Sequence, residues 1–320
     1  MRIAVFGVGG VGGYVGARLA EAGEDVVLIA RGAHLRAIRE HGLHLESIAG
    51  DAHVRPSLAT DDPAEAGNVD SVIAATKTWQ LPDAARTMGP LIGADTTVVP
   101  LLNGVEAADV LAEALGPEPV VGGLCGMISF LAGPGRVRHT GAEPWVTIGE
   151  LDGKVTDRVR SIEAALSRCR GLKVALSDRI RVELWEKLAF ITATGGVGAV
   201  TRAPIGAFRD VPETRALLEA AMREVVEVAR ARGVPVGDHV VAERMSFVDR
   251  LEAHGTASMQ RDIMAGRRSE LDELNGAVVR LGREAGVDTP VHSAIYAALR
   301  PQELRALGEL AFAEPPAGPS

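Results

Sequence analysis

Aromatic residues make up only 3% of this 320-residue chain, although 47% of its residues are hydrophobic. Its cores must therefore be built from Ala, Val, Leu and Ile. Cysteine is nearly absent, with Cys125 and Cys169 the only two. They show no metal-ligand spacing, so no metal site is expected, and a reducing, cytoplasmic compartment fits them. No continuous apolar stretch reaches about 18 residues, so no membrane span is expected. Positive charge is not in excess: 34 Lys and Arg stand against 42 Asp and Glu, a net charge of -8. That balance argues against a general nucleic-acid binder. A signal peptide would need a cationic start, an apolar stretch and a cleavage site; here Met-Arg-Ile-Ala-Val-Phe reads as a strand that runs straight into glycines, so none is expected. There is no internal repeat and no extended low-complexity segment.

The length suggests two domains. Residues 2–6 form an apolar run ending in glycines, residues 11–22 have helical spacing with Gly23 as a stop, and residues 25–30 are a second apolar run. This is strand, loop, helix, strand, the unit of a parallel sheet. Further strands are expected at 71–75 and 96–100, with helices near 80–88 and 105–115. Segments 120–131, 136–140 and 145–149 read as β-structure with Gly/Pro turns, including Gly133-Pro134-Gly135. A helix over 155–169 and a strand over 172–177 close the first domain. Beyond Asp178 the pattern is almost wholly helical: 180–193, 212–232, 238–251, 258–265, 270–285 and 291–298. The expected fold is therefore α/β, an N-terminal Rossmann-type doubly wound sheet (1–178) followed by an all-helical domain (179–312). The Pro- and Ala-rich tail 313–320 is expected to fray.

The glycine run is the strongest local signal. Gly7, Val8, Gly9, Gly10, Val11 and Gly12 satisfy G-x-G-x-x-G, and they lie between a strand and a helix, with a second strand at the right distance. In such a loop Gly7 permits the tight turn, Gly9 lets backbone N–H groups approach a pyrophosphate, and Gly12 lets helix and strand pack closely. The helix N-terminus favours phosphate charge. At the end of the second strand, where an NAD-binding protein usually carries Asp or Glu, this chain has Ala30-Arg31-Gly32. No carboxylate repels a 2′-phosphate, and Arg31 offers a fork of donors to bind one, with Arg36 or His34 as helpers. The expected cofactor is NADPH.

Ligands of open α/β sheets sit at the C-terminal ends of the strands. Lys77 and Asn103 fall there, either to touch the nicotinamide half or the substrate, or simply to be solvated. In the helical half, Lys187 stands among Leu, Ala, Phe and Ile; it either snorkels its amine to water or serves as a proton donor. Ser258 and Asp262 are four apart and share a helix face. Glu270 is either a functional carboxylate or one favoured by a helix N-terminus.

Taken in order, Gly7–Gly12, Arg31, Thr76-Lys77-Thr78-Trp79-Gln80, Asn103-Gly104, Trp185-Glu186-Lys187-Leu188, Ser258-Met259-Gln260-Arg261-Asp262 and Glu270-Leu271-Asp272-Glu273-Leu274-Asn275-Gly276 resemble the ketopantoate reductases (2-dehydropantoate 2-reductases), over about residues 1–310. The resemblance implies a general-acid role for Lys187, which protonates the developing alkoxide. It implies that Glu270 contacts substrate and helps position that lysine, and that Ser258 binds substrate. Asn103 and Lys77 would lie at the junction of nicotinamide and substrate, and Arg31 would hold the 2′-phosphate. The implied partner is a small 2-oxo acid, with neither nucleic acid nor membrane; a homodimer is suggested by fold-level analogy. Two other readings compete: a β-hydroxyacid dehydrogenase-like enzyme, and a catalytically silent NADPH sensor.

One departure bears on the substrate. The family's lysine helix usually carries asparagines four and eight residues beyond the lysine, on one stripe. Here those positions are Ile191 and Gly195. Each hydrogen bond to a charged group contributes about 1.5–3 kcal/mol, so losing two would cost roughly two to four powers of ten in transition-state binding. Thr194, beside the stripe, is the candidate to replace one as a substrate-binding group. Otherwise the pocket is expected to be more apolar at Ile191 and roomier at Gly195, favouring a bulkier or less polar ketone than ketopantoate.

Overall fold

The computed structural model describes residues 1–312; the tail expected to fray, 313–320, lies outside the described residues. The chain divides into two compact units, Met1–Leu184 and the remainder from Trp185.

In the first unit the elements run β1 (Arg2–Phe6), α1 (Gly10–Glu21), β2 (Asp25–Ile29), α2 (Gly32–His41), β3 (Leu43–Ser47), β4 (Ala52–Val54), β5 (Leu58–Thr60) and β6 (Ser71–Ala74). They continue with α3 (Leu81–Thr87), β7 (Thr97–Pro100), α4 (Ala107–Leu115), β8 (Gly122–Gly133), β9 (Arg136–Gly149), α5 (Asp157–Ser167) and β10 (Lys173–Leu176). Five strands form a wholly parallel sheet in the order β5-β2-β1-β6-β7. Alternation along β1 shows why it is central. Ile3 and Val5 pack in one core with Tyr14, Val15 and Leu19 of α1. Ala4 and Phe6 pack in a second core with Leu81 and Ala84 of α3 and Leu111 of α4. Both faces are buried, as the continuous apolar run requires.

A second sheet, not foreseen from the sequence, has the order β10-β9-β3-β4, with β8 antiparallel to β9. Val137, Val146 and Ile148 of β9 share the core of α1, so that helix is packed between the two sheets. The expected strands over 136–140 and 145–149 are one strand, broken in register opposite Met127. Pro144 falls within that irregularity, where its missing N–H removes no ladder bond. The sequence reading also missed α2, β3, β4 and β5.

The helical unit contains most of α6 (Ile180–Thr201), then α7 (Ile205–Asp210), α8 (Pro212–Ala231), α9 (Val240–Arg250), α10 (Ser258–Met264), α11 (Asn275–Ala285) and α12 (Pro290–Leu307). Three extents differ from expectation, and α7 was missed. The α6 helix passes through Gly195-Gly196 because those glycines are contact points: Gly195 faces Met259, and Gly196 faces Asn275 and Ile295. The segment before Asn275 is a series of turns, closed by Leu274 N donating to Glu270 O at 2.9 Å. The α12 helix continues past Pro301, whose ring forgoes one ladder bond. Among the described residues no helix is long and apolar enough to cross a membrane.

Candidate active site

The predicted nucleotide-binding residues of the first unit collect at one edge of the parallel sheet. Gly7, Arg31, Lys77 and Asn103 follow the C-terminal ends of β1, β2, β6 and β7 respectively. Backbone bonds lock these ends together: Gly7 N to Ile29 O at 3.1 Å, Ala75 N to Phe6 O at 2.9 Å and Leu101 N to Ala74 O at 2.7 Å. β1 and β6 are neighbours from which the strand order runs outward in both directions, the crevice position of doubly wound sheets.

Gly7 adopts φ +96°, and a Cβ there would lie 2.8 Å from the Thr76 backbone. A Cβ on Gly12 would lie 2.0 Å from Gly7 O, and one on Gly10 would meet the Ser129 carbonyl of β8 at 2.1 Å. Ser129 Oγ also donates to Gly10 O at 2.8 Å, so the second sheet steadies the loop. Gly9 differs: nothing stands within 4 Å of where its Cβ would be. It caps α1, whose first turn holds no acidic side chain. Val8 is buried and Val11 packs partly buried on the core. The open side of Gly9, the acid-free helix start and the buried, unpartnered Thr76 Oγ1 beside Gly7 fit a dinucleotide pyrophosphate.

Arg31 is the exposed N-cap residue of α2. His34, proposed as its helper, has its Nδ1 engaged, accepting from Gly135 N at 2.9 Å, and its ring also lies against the Val8 backbone of the glycine loop. Burial pushes its ring below the ordinary histidine range, so it ties α2 to the β8–β9 turn instead of carrying charge. Lys77 is exposed, with its ammonium 5.4 Å from the centroid of the Trp79 ring. Asn103 is half-buried, and its carbonyl accepts from Thr78 Oγ1 at 3.3 Å, joining the loops after β6 and β7.

In the helical unit Lys187 and Ile191, one turn apart on α6, are half-buried, while Leu188, Ala189, Thr192 and Ala193 are buried. Two flanks of α6 are engaged by other helices. On one side Glu186 pairs with Arg244 of α9 at 3.0 Å, and Phe190 meets Phe247 of α9 edge-on at 5.2 Å between ring centroids. On the other, a Cβ at Gly195 would meet Met259 Cε at 3.2 Å and Ala257 Cβ at 3.8 Å. The expected extra room at Gly195 is thus absent, because Met259 fills it. Ser258, between Ala257 and Met259 in sequence, is exposed at the start of α10. Thr194 is buried and donates its hydroxyl to Phe190 O at 2.7 Å, leaving only acceptor capacity.

The far side of α6 holds a polar network that the sequence reading missed. Thr192 Oγ1 lies 3.2 Å from His292 Nε2, and His292 Nδ1 lies 2.7 Å from Glu224 Oε2. Burial alone would raise the Glu224 carboxyl, but bonds from the His292 side chain and from the Val291 and His292 backbone hold it below its usual range. Asn275 Nδ2 donates to Thr192 O at 3.2 Å. The helix register of α6 is therefore fixed from behind Lys187.

Glu270 is buried in the turns before α11. Its neighbour Glu273, also missed, is pushed up to about 7, chiefly by burial, with Asp272 and Glu270 adding to the shift. Among the described residues no group of three or more His, Cys, Asp or Glu could hold a metal ion.

Comparison with known proteins agrees across both units. The family profile described as "Ketopantoate reductase PanE/ApbA" matches residues 3–153, and its C-terminal counterpart matches residues 179–303. A 2-dehydropantoate 2-reductase of Mesorhizobium japonicum is 32% identical, covering 94% of this chain and 97% of its own. The crystal structure of a PanE/ApbA family ketopantoate reductase from Ralstonia eutropha is 33% identical, covering 96% of this chain and 100% of its own with a TM-score of 0.87. A ternary structure of D-mandelate dehydrogenase with NADH and anilino(oxo)acetate is 26% identical, covering 95% and 98%, with a TM-score of 0.86. The chain belongs to the ketopantoate reductase family of oxidoreductases.

Proposed function

We propose that the protein reduces a small 2-oxo acid with an apolar side chain to the 2-hydroxy acid, using NADPH, with Lys187 as general acid. The observation that carries this reading is the surroundings of Lys187. Its position on α6 is half-buried, its next residue along the stripe is Ile191, and on the adjoining flank Phe190 meets Phe247 edge-on. A family asparagine would present an amide where this chain presents hydrocarbon. The similarity to D-mandelate dehydrogenase, whose complex holds an aryl-substituted oxo acid, supports the same substrate class.

When bound, the reduced nicotinamide supplies a hydride to the ketone carbon. Gly9 and the α1 N-terminus would hold its pyrophosphate, Arg31 its 2′-phosphate, and Lys77 and Asn103 its nicotinamide half. The Lys187 ammonium gives a proton to the ketone oxygen as charge develops there, and regains it from solvent after product leaves. Glu270 orients that ammonium and the substrate, while the Ser258 hydroxyl donates to the substrate carboxylate. Thr194 can add an acceptor only. NADH is the competing cofactor, because D-mandelate dehydrogenase was captured with it.

Steady-state kinetics with NADPH and NADH on ketopantoate and on phenylglyoxylate test the reading. The expected result is NADPH preference, with kcat/KM at least about tenfold higher on the aryl acid. Efficient ketopantoate turnover, near ~10⁵ M⁻¹s⁻¹, with weaker turnover of the aryl acid would overturn the substrate assignment.

A further inference from the structure

The α12 helix presents an unusual inner stripe. Its buried residues are His292, Ile295, Leu299 and Glu303, so a carboxylate occupies a position that the helical period reserves for the core. Glu303 is 2% exposed, and among the described residues its hydrogen bonds come from Ser269. Ser269 N donates to both carboxylate oxygens at 3.1 Å, and Ser269 Oγ donates to Oε2 at 2.5 Å. Ser269 Oγ in turn accepts from Leu271 N at 3.2 Å. The backbone on both sides of Glu270 is therefore held by one buried acid.

A second grip from the same helix lies one residue further on. Tyr296 Oη donates to Asp272 Oδ1 at 2.8 Å, and Arg300 Nη1 reaches Oδ1 and Oδ2 at 2.8 and 2.6 Å. Tyr296, Arg300 and Glu303 are spaced by four and three, which places them along one side of α12. They seize residues 269 and 272, and Glu270 sits between those anchor points. A buried carboxylate with no cationic partner among the described residues is expensive compared with a leucine of similar size, so its presence calls for a task beyond stability.

We propose that Glu303 and Ser269 are positioning residues for Glu270. The clasp of α12 fixes the turn so that the Glu270 carboxylate is held ready before substrate arrives. This inference rests on the reading of Glu270 as the acid that orients Lys187 and the substrate. Nothing in it depends on the dinucleotide loop.

The test is a double-mutant cycle on the full chain, with Ser269→Ala, Glu270→Gln and the pair combined, read as kcat/KM for the best 2-oxo acid and as NADPH affinity. Ser269→Ala alone should lower kcat/KM about ten- to a hundredfold, with NADPH affinity unchanged. In the Glu270→Gln background the same change should add less than about a twofold loss, because the group it positions is already gone. A merely structural role would lower both backgrounds alike. Glu303→Gln, which keeps one acceptor for Ser269 N, repeats the cycle should Ser269→Ala fail to fold. Undiminished kcat/KM in Glu270→Gln would overturn the role of Glu270 and this inference with it. A crippled Glu270→Gln beside an unaltered Ser269→Ala, or losses that multiply, would overturn the positioning role alone.

Discussion

Gly195→Ala and Gly196→Ala make the same chemical change one residue apart in α6, yet they should move stability in opposite directions. Alanine is favoured over glycine in a helix interior by about 1 kcal/mol. At Gly195 the added methyl meets Met259 Cε at 3.2 Å, and its next neighbours stand at 3.7 and 3.8 Å. A methionine terminus yields easily, so most of the gain survives, about 0.5–1 kcal/mol of net stabilisation. At Gly196 the methyl would lie 2.7 Å from Asn275 Nδ2 and 2.9 Å from Ile295 Cγ2. Overpacking there costs about 1–3 kcal/mol, and the buried bond from Asn275 to Thr192 O adds about 1 kcal/mol if it is stretched. The net is a loss of roughly 1–3 kcal/mol after the propensity gain. Urea unfolding followed by far-UV circular dichroism reads both variants on one scale. Equal stabilisation by the two changes would refute the assignment of Asn275 and Ile295 as a rigid wall and Met259 as a soft one.

Arg31→Ala should weaken NADPH about ten- to a hundredfold, the loss of one bond to a charged group, and leave NADH affinity unchanged; equal losses for both in a fluorescence titration would count against a 2′-phosphate contact. Gly9→Ala should melt near wild type but lose stabilisation by added NADPH, whereas Gly12→Ala, aimed at Gly7 O from 2.0 Å, should lower the melting temperature without any ligand. The reverse ranking in thermal scans would place the phosphate site elsewhere. Glu273, at about 7 in the fold against an ordinary 4.5, binds its proton more tightly when native. The stability this gives is complete below about pH 4.5 and is lost as pH rises through about 7. Glu273→Gln should therefore stabilise the protein at pH 8 by about 1–2 kcal/mol, discounted for partial exposure, and gain little at pH 5; equal gains at both would contradict the burial effect.

Much of this was legible in the residues. The β1–α1–β2 unit announces itself because an apolar run, spaced glycines and a second apolar run occur within 30 residues. Lys187, Ser258 and Glu270 are proposed on motif order alone, since no spacing rule links residues that far apart. The segment from Gly32 to Thr60 was illegible for a physical reason. In α2 only Leu35 and Ile38 are buried, and β4 and β5 have three residues each, too few for a period to show. The bond from Gly135 to His34 was illegible because a histidine beside Arg31 gives no hint of a turn 101 positions later. Gly195 misled: a missing side chain reads as space, yet Met259, 64 positions later, fills it. Glu303 lay in a stretch that Pro301 had removed from the expected helix, so its place on the inner stripe of α12 emerged only with the fold.

The proton-donor role of Lys187 is tested most directly by Lys187→Ala, assayed as kcat on the best 2-oxo acid with NADPH in excess, beside NADPH affinity by titration. The expected result is a kcat lower by about 10²–10⁴-fold with NADPH affinity unchanged. A variant that keeps kcat within about threefold of wild type, far short of any general-acid contribution, would contradict it.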